Sequence, residues 1–143
     1  MTTEASPTRS GKVVIGVDDQ PENLAMLKAI VEARGDIFFR ATGGLECLSL
    51  AARTSPRLIL LDIQMPGMDG FETCRHLRSN WALRPIPVAF LTSRRSVEDV
   101  KKGIAAGGND FISKPFDVEK LAGRIDYWTS RRINPSESQS RSG

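Results

Sequence analysis

The chain has 143 residues and a mass of 15.7 kDa, room for one domain around a single core. With 40% hydrophobic and 26% charged residues it has an ordinary globular composition, and no apolar run reaches the roughly 18–20 residues of a membrane span. Its net charge of +3 comes from the ends, because Val13–Ser130 balances fifteen Lys/Arg against fifteen Asp/Glu, which argues against a basic nucleic-acid face.

Met1–Lys12 is polar and lacks the apolar middle of a secretory signal, so a cytoplasmic location is expected. Cys47 and Cys74 have no metal-type spacing, and the chain holds a single His. Both fall at apolar positions of helical segments and read as buried reduced thiols. Residues 1–11 and 132–143, rich in Ser, Thr, Arg and Pro, read as flexible tails around a folded unit at 12–131.

Within that unit short apolar runs alternate with helical patterns. Val13–Val17 reads as a strand; a helix follows from Pro21, marked by Leu24, Leu27 and Val31. Ile37–Ala41 is the second strand, and Leu45, Leu48 and Ala52 mark the second helix. Leu58–Leu61 is the third strand, wholly apolar as a strand buried on both faces should be, followed by a helix through Phe71, Cys74 and Leu77. Pro87–Leu91 is the fourth, before a helix with Val97, Val100 and Ile104. There Ser96 and Asp99 resemble a capping box. Phe111–Ile112 is the fifth, before a helix with Val118, Leu121, Ile125 and Trp128 that Asp117 can cap. Each set is spaced i, i+3 and about two turns on, one stripe facing a core. Five β-α units in succession predict a doubly wound five-stranded parallel α/β sheet with five helices.

Ligands of such sheets bind outside the carboxyl ends of the strands, at the switch point in strand order. At those ends stand Asp18-Asp19, Asp62, Thr92 and Lys114-Pro115. Three carboxylates on one rim repel one another, and one would take up a proton without compensation. A hard divalent cation with oxygen ligands resolves the conflict, and Mg²⁺ is the abundant candidate. A cation, an ammonium and a hydroxyl together suit a phosphoryl group. With no Ser-His or Cys-His pair and no Gly-rich phosphate loop on the rim, the nucleophile is a carboxylate. Asp62, ending the most apolar strand, is the best candidate.

Four segments in this order carry a family resemblance. Val17-Asp18-Asp19-Gln20-Pro21-Glu22-Asn23 resembles the acidic start of response-regulator receivers of two-component signalling. Leu60-Leu61-Asp62-Ile63-Gln64-Met65-Pro66-Gly67-Met68-Asp69-Gly70 is similar to their phosphorylation loop almost residue for residue. Phe90-Leu91-Thr92-Ser93 resembles the switch-threonine segment, and Gly107 to Phe116 the closing lysine segment. The likeness runs from about Lys12 to Trp128, and is to single-domain, chemotaxis-regulator-like receivers with a flavodoxin-like fold.

The resemblance implies that Asp62 is the phospho-acceptor, and that Asp19 and Asp62 bind Mg²⁺ directly, with Asp18 acting through water and the Gln64 carbonyl completing the set. It implies that Thr92 turns toward an arriving phosphoryl group, and that Lys114 pairs with Asp62 before modification and with phosphoryl oxygen after it. Phe111 matches the aromatic that changes rotamer as Thr92 moves, although a plain core Phe accounts for it equally well. A cis peptide before Pro115 is implied too. The expected partners are a sensor histidine kinase or histidine phosphotransfer protein. The protein would then be a switch rather than an enzyme, with only autocatalytic phosphoryl acceptance and slow self-dephosphorylation. After Trp128 fifteen residues remain, too few for a DNA-binding domain. Output is therefore expected through a target protein, or else through a phosphorelay.

Three features depart from the commonest pattern. Gly16 inside the first strand is expected to cost local stability, and Gly107-Gly108 to loosen the turn before the last strand. Arg94 lies two residues after Thr92, as Gln64 lies two after Asp62. Both positions are expected to overlook the acyl phosphate and modulate its hydrolysis, although an Arg94 pointing to solvent fits as well. Two rival readings remain. A phosphoaspartyl hydrolase would carry its nucleophile after the first strand, with a second Asp two positions on. A binding module for an anionic nucleotide messenger would use Arg94, Arg95, Arg131 and Arg132.

Overall fold

The computed structural model describes residues 11–93 and 95–131. The two tails, save Gly11, and Arg94 and Arg132 lie outside the described residues. Elements alternate in chain order as β1 (Val13–Val17), α1 (Pro21–Ala33), β2 (Ile37–Ala41), α2 (Gly44–Thr54) and β3 (Leu58–Asp62). There follow α3 (Gly70–Ser79), β4 (Val88–Thr92), α4 (Val97–Ala106), β5 (Asp110–Ser113) and α5 (Val118–Thr129). All strands run parallel in the order β2-β1-β3-β4-β5, as the flavodoxin-like reading expects. Chain direction across the sheet reverses between β1 and β3, which opens the crevice where ligands of this class of sheet bind.

Successive side chains leave a strand on opposite faces, and both faces are covered. Ile15, Val17, Ile59, Leu61, Val88 and Phe90 pack under α2 and α3. Val14, Leu58, Leu60, Ala89, Leu91 and Ile112 pack under α1 and α5. Four consecutive residues of β3, Leu58–Leu61, are completely buried; each such side chain stabilises the fold by roughly 1.5–3 kcal/mol. Cys47 and Cys74 are buried free thiols in the first of these cores. Burial first, and then the neighbouring Cys74, pushes the Cys47 thiol up to about 12.

Helix starts follow their signals. Pro21 opens α1, Ser96 Oγ accepts from Asp99 N (3.0 Å), and Asp117 Oδ1 accepts from Lys120 N (3.1 Å). Two inward faces differ from expectation. In α2 the buried residues are Gly44, Cys47, Leu50 and Ala51, while Leu45 is 72% exposed, Ala52 is exposed and Leu48 is half-buried. In α4 only Gly103 and Ala106 are buried, and Val97 and Ile104 point outward. Val118 of α5 is exposed too. The two unusual glycines are packing devices rather than weak points. A Cβ on Gly16 would sit 2.6 Å from the Phe38 ring, and one on Gly108 would clash with the Phe90 ring.

Candidate functional site

The crevice residues are held by backbone pairing. Asp18 follows β1, and its N–H donates to the Ala41 carbonyl of β2 (3.1 Å). Asp62 is the last residue of β3, where Ile63 N–H donates to the Leu91 carbonyl (3.2 Å). Thr92 ends β4, and the N–H of Lys114, just past β5, donates to the Thr92 carbonyl (2.8 Å). Four strand ends thus present Asp18-Asp19, Asp62, Thr92 and Lys114 on one rim. The Lys114–Pro115 peptide is cis.

Asp18, Asp62 and Thr92 are buried, whereas Asp19 is exposed. The Lys114 ammonium bridges two carboxylates, lying 2.9 Å from Asp18 Oδ2 and 3.2 Å from Asp62 Oδ1. Asp18 also accepts from Gln20 N (2.9 Å) and from Asn23 Nδ2 (3.1 Å). Burial, reinforced by the charge of Asp18, pushes the Asp62 carboxyl up to about 6; Lys114 and the Gln64 backbone N–H pull against that rise. Burial alone would lower Lys114, but the hydrogen bond to Asp18 and the charges of Asp62 and Asp18 raise it instead. It remains an ammonium.

Carboxylate oxygens of Asp18, Asp19 and Asp62 lie within 4.8 Å of one another. Lys114 is the only cation paired with them among the described residues. Three negative charges against one positive leave an excess, and the charge of Asp18 adds to burial in raising the Asp62 carboxyl. An all-oxygen donor set with that excess fits a hard divalent cation.

Other expectations map less directly. Gln64 is exposed and lines a cleft of about 20 Å³ with Asp62, Thr92, Ser93 and Asp99. Phe111 is half-buried with its ring 5.5 Å from that of Phe90, in the core beneath α4 rather than on the rim. Arg95 donates to the Phe111 carbonyl (2.9 Å), and Arg131 stacks on Tyr127 at 3.9 Å while donating to its hydroxyl (2.8 Å). These two arginines, candidates for a messenger site, are spent on the protein's own groups. Two contributors had no assigned role in the sequence. Asn23 sits inside the acidic segment without a charge to flag it, and Asp99 was visible only as a capping residue.

Comparison with known proteins decides the family. A family model described as the response regulator receiver domain matches residues 14–126. The chain belongs to the response-regulator receiver family. It is 36% identical over 128 residues to response regulator PleD of Caulobacter vibrioides, covering 90% of this chain but 28% of PleD. The receiver thus spans about a quarter of that relative. Chemotaxis protein CheY4 of Vibrio cholerae matches with a TM-score of 0.80 at 28% identity, covering 83% of this chain and 99% of that one. The receiver domain of sensor histidine kinase PA1611 of Pseudomonas aeruginosa matches with a TM-score of 0.78 at 26% identity, covering 85% and 99%. Its structure holds a magnesium ion in the active-site cleft. Receiver domains of this family are phosphorylated on an aspartate and are generally signalling modules rather than enzymes. They bind Mg²⁺ at an acidic pocket and work with histidine kinases or phosphotransfer proteins. No helix among the described residues is long and apolar enough to cross a membrane.

Proposed function

We propose that this receiver, residues 12–131, accepts a phosphoryl group on Asp62 from a cytoplasmic histidine kinase or phosphotransfer protein and then signals by binding a target protein. The observation that carries the reading is Lys114, bridging Asp18 at 2.9 Å and Asp62 at 3.2 Å beside a third carboxylate. Carboxylates gathered around one ammonium in this way suit further positive charge and incoming anionic oxygen. Asp18, Asp19, Asp62 and the Gln64 carbonyl would hold Mg²⁺, which supplies charge neutralisation for the phosphoryl oxygens. That the PA1611 receiver holds magnesium in its cleft supports this assignment.

In the transfer, an Asp62 carboxylate oxygen attacks phosphorus. The bond from phosphorus to the donor's imidazole nitrogen breaks, and the imidazole leaves with that electron pair. With its carboxyl raised only to about 6, Asp62 is mostly ionised above pH 7 and available as a nucleophile. Lys114 then exchanges its pairing with Asp62 for a phosphoryl oxygen, and the Thr92 hydroxyl donates to another. Acceptance of the phosphoryl group and its slow loss to water are the only chemistry the site performs. The rearrangement at Thr92 passes to the α4 side, where Phe111 lies under Gly103.

The test is phosphorylation by acetyl phosphate with Mg²⁺, followed by intact mass. Wild-type protein gains one phosphoryl group, and Asp62→Asn gains none. Undiminished labelling of Asp62→Asn would sink the assignment.

A further inference from the structure

The cleft of about 20 Å³ beside Asp62 has polar walls contributed by Gln64, Thr92, Ser93 and Asp99. A water needs roughly 10–15 Å³ and two or more polar partners, so the cleft has room for one water. Asp99 reaches it from the first turn of α4, where its backbone N–H is already satisfied by Ser96 Oγ. Its carboxylate accepts no hydrogen bond and pairs with no cation among the described residues. A capping box would turn that carboxylate back onto Ser96 N–H; here it lines the cleft instead.

We propose that Asp99 is the residue that positions the water hydrolysing phosphorylated Asp62, and so sets the lifetime of the signal. The inference rests on Asp62 as phospho-acceptor. In the step, the water oxygen attacks phosphorus and the bond between phosphorus and the Asp62 oxygen breaks. The electron pair returns to the Asp62 carboxylate, and inorganic phosphate leaves. Asp99 accepts the hydrogen bond of the attacking water, takes its proton and passes it to solvent, so Asp99 ends unchanged. A base is what the cleft otherwise lacks: besides Asp62, whose carboxylate is consumed on phosphorylation, its polar walls are the neutral Gln64, Thr92 and Ser93.

The experiment compares wild type, Asp99→Ala, Asp99→Asn and Glu98→Ala. Each is phosphorylated with acetyl phosphate and Mg²⁺ and freed of donor, and phosphate release is followed both in Mg²⁺ and after EDTA. Glu98 shares the first turn of α4 and its charge but does not line the cleft, so it reports any effect of helix-terminal charge alone. Labelling is expected to reach one phosphoryl group in all four. Asp99→Ala should lengthen the lifetime several-fold, Asp99→Asn should fall between it and wild type, and Glu98→Ala should match wild type. The ordering should survive EDTA, and hydrolysis of the wild type in ¹⁸O-water should place the label in phosphate. Loss at the wild-type rate or faster in Asp99→Ala overturns the proposal, as does equal slowing in Glu98→Ala. Failure of the underlying reading looks different: no variant is labelled, or Asp62→Asn is.

Discussion

Helices α3 and α4 start alike and end up doing different work. Each has ten residues, and each is capped by a side chain at its N-terminus, Asp69 accepting from Glu72 N (2.9 Å) and Ser96 from Asp99 N (3.0 Å). Each shows apolar residues at helical spacing. Yet α3 drives Phe71, Cys74 and Leu77 into the core, while α4 rests on Gly103 and Ala106 and leaves Val97 73% and Ile104 63% exposed. Just at the end of α3, Arg78 adds hydrogen bonds to the carbonyls of Gly107, Arg84 and Ile86 and to Asn109 Oδ1. A helix seated by large side chains loses much when it moves; one seated by a glycine and an alanine loses little. The second kind stands next to Thr92 and carries Asp99, which is where a phosphorylation switch needs freedom.

The widest gap between the helices should show in stability. Leu77 is fully buried under α3, and Leu77→Ala should lower unfolding free energy by about 2–5 kcal/mol, the usual cost of such a cavity. Urea unfolding followed by circular dichroism measures it. A loss under 1 kcal/mol would mean that α3 is no firmer than α4 and would break the comparison.

Gly103→Ala probes the α4 seat directly. Its Cβ would clash with Phe111 Cζ and lie 3.1 Å from Phe90 Cε2, so the Phe111 ring must turn or α4 must lift. Overpacking of this sort costs about 1–3 kcal/mol, against roughly 1 kcal/mol gained in helix propensity. The net loss should be modest, and amide exchange in α4 should quicken while that in α3 stays unchanged. Equal acceleration in both helices would show that they move as one unit.

These two helices also mark where the sequence could and could not be read. Strand positions were legible because buried parallel strands are continuous apolar runs; the structure extends the third run by Asp62 and the last by a residue at each end, and shifts the fourth from Pro87–Leu91 to Val88–Thr92. Helix faces were legible only where large residues point inward, as in α1 and α3. In α4 the inward positions are held by small residues, Gly103 and Ala106, and the larger Val97 and Ile104 drew the reading to the wrong side; in α2 the inward Cys47, Leu50 and Ala51 lie beside an equally apolar stripe through Leu45, which the spacing could not tell apart. The rim was legible because the topology of a parallel sheet sends every strand end to one edge, whatever the loops do. Asn23 and Asp99 were not, since a hydrogen bond to Asp18 and a wall of a small cleft exist only once α1 and α4 have docked. Phe111 shows the same limit, its identity fitting a core residue and a switch equally.

The smallest expected effect lies on the outer side of α4. Ile104 keeps only the minor part of its surface in contact with the protein. Truncating it forfeits little burial, at about 25 cal/mol for each Å² of apolar surface. In return, alanine carries a better helix propensity than a β-branched residue, by a few tenths of a kcal/mol. The two terms nearly cancel, so Ile104→Ala should change stability by no more than about 0.5 kcal/mol, the scatter of ordinary surface positions. Urea unfolding at two protein concentrations, run beside Leu77→Ala, gives the number. A loss above 2 kcal/mol, growing with protein concentration, would show that the outer face of α4 is covered by a second copy of the chain. In that case α4 would be as firmly seated as α3, only from the other side, and the contrast between a fixed helix and a movable one would hold for the monomer alone.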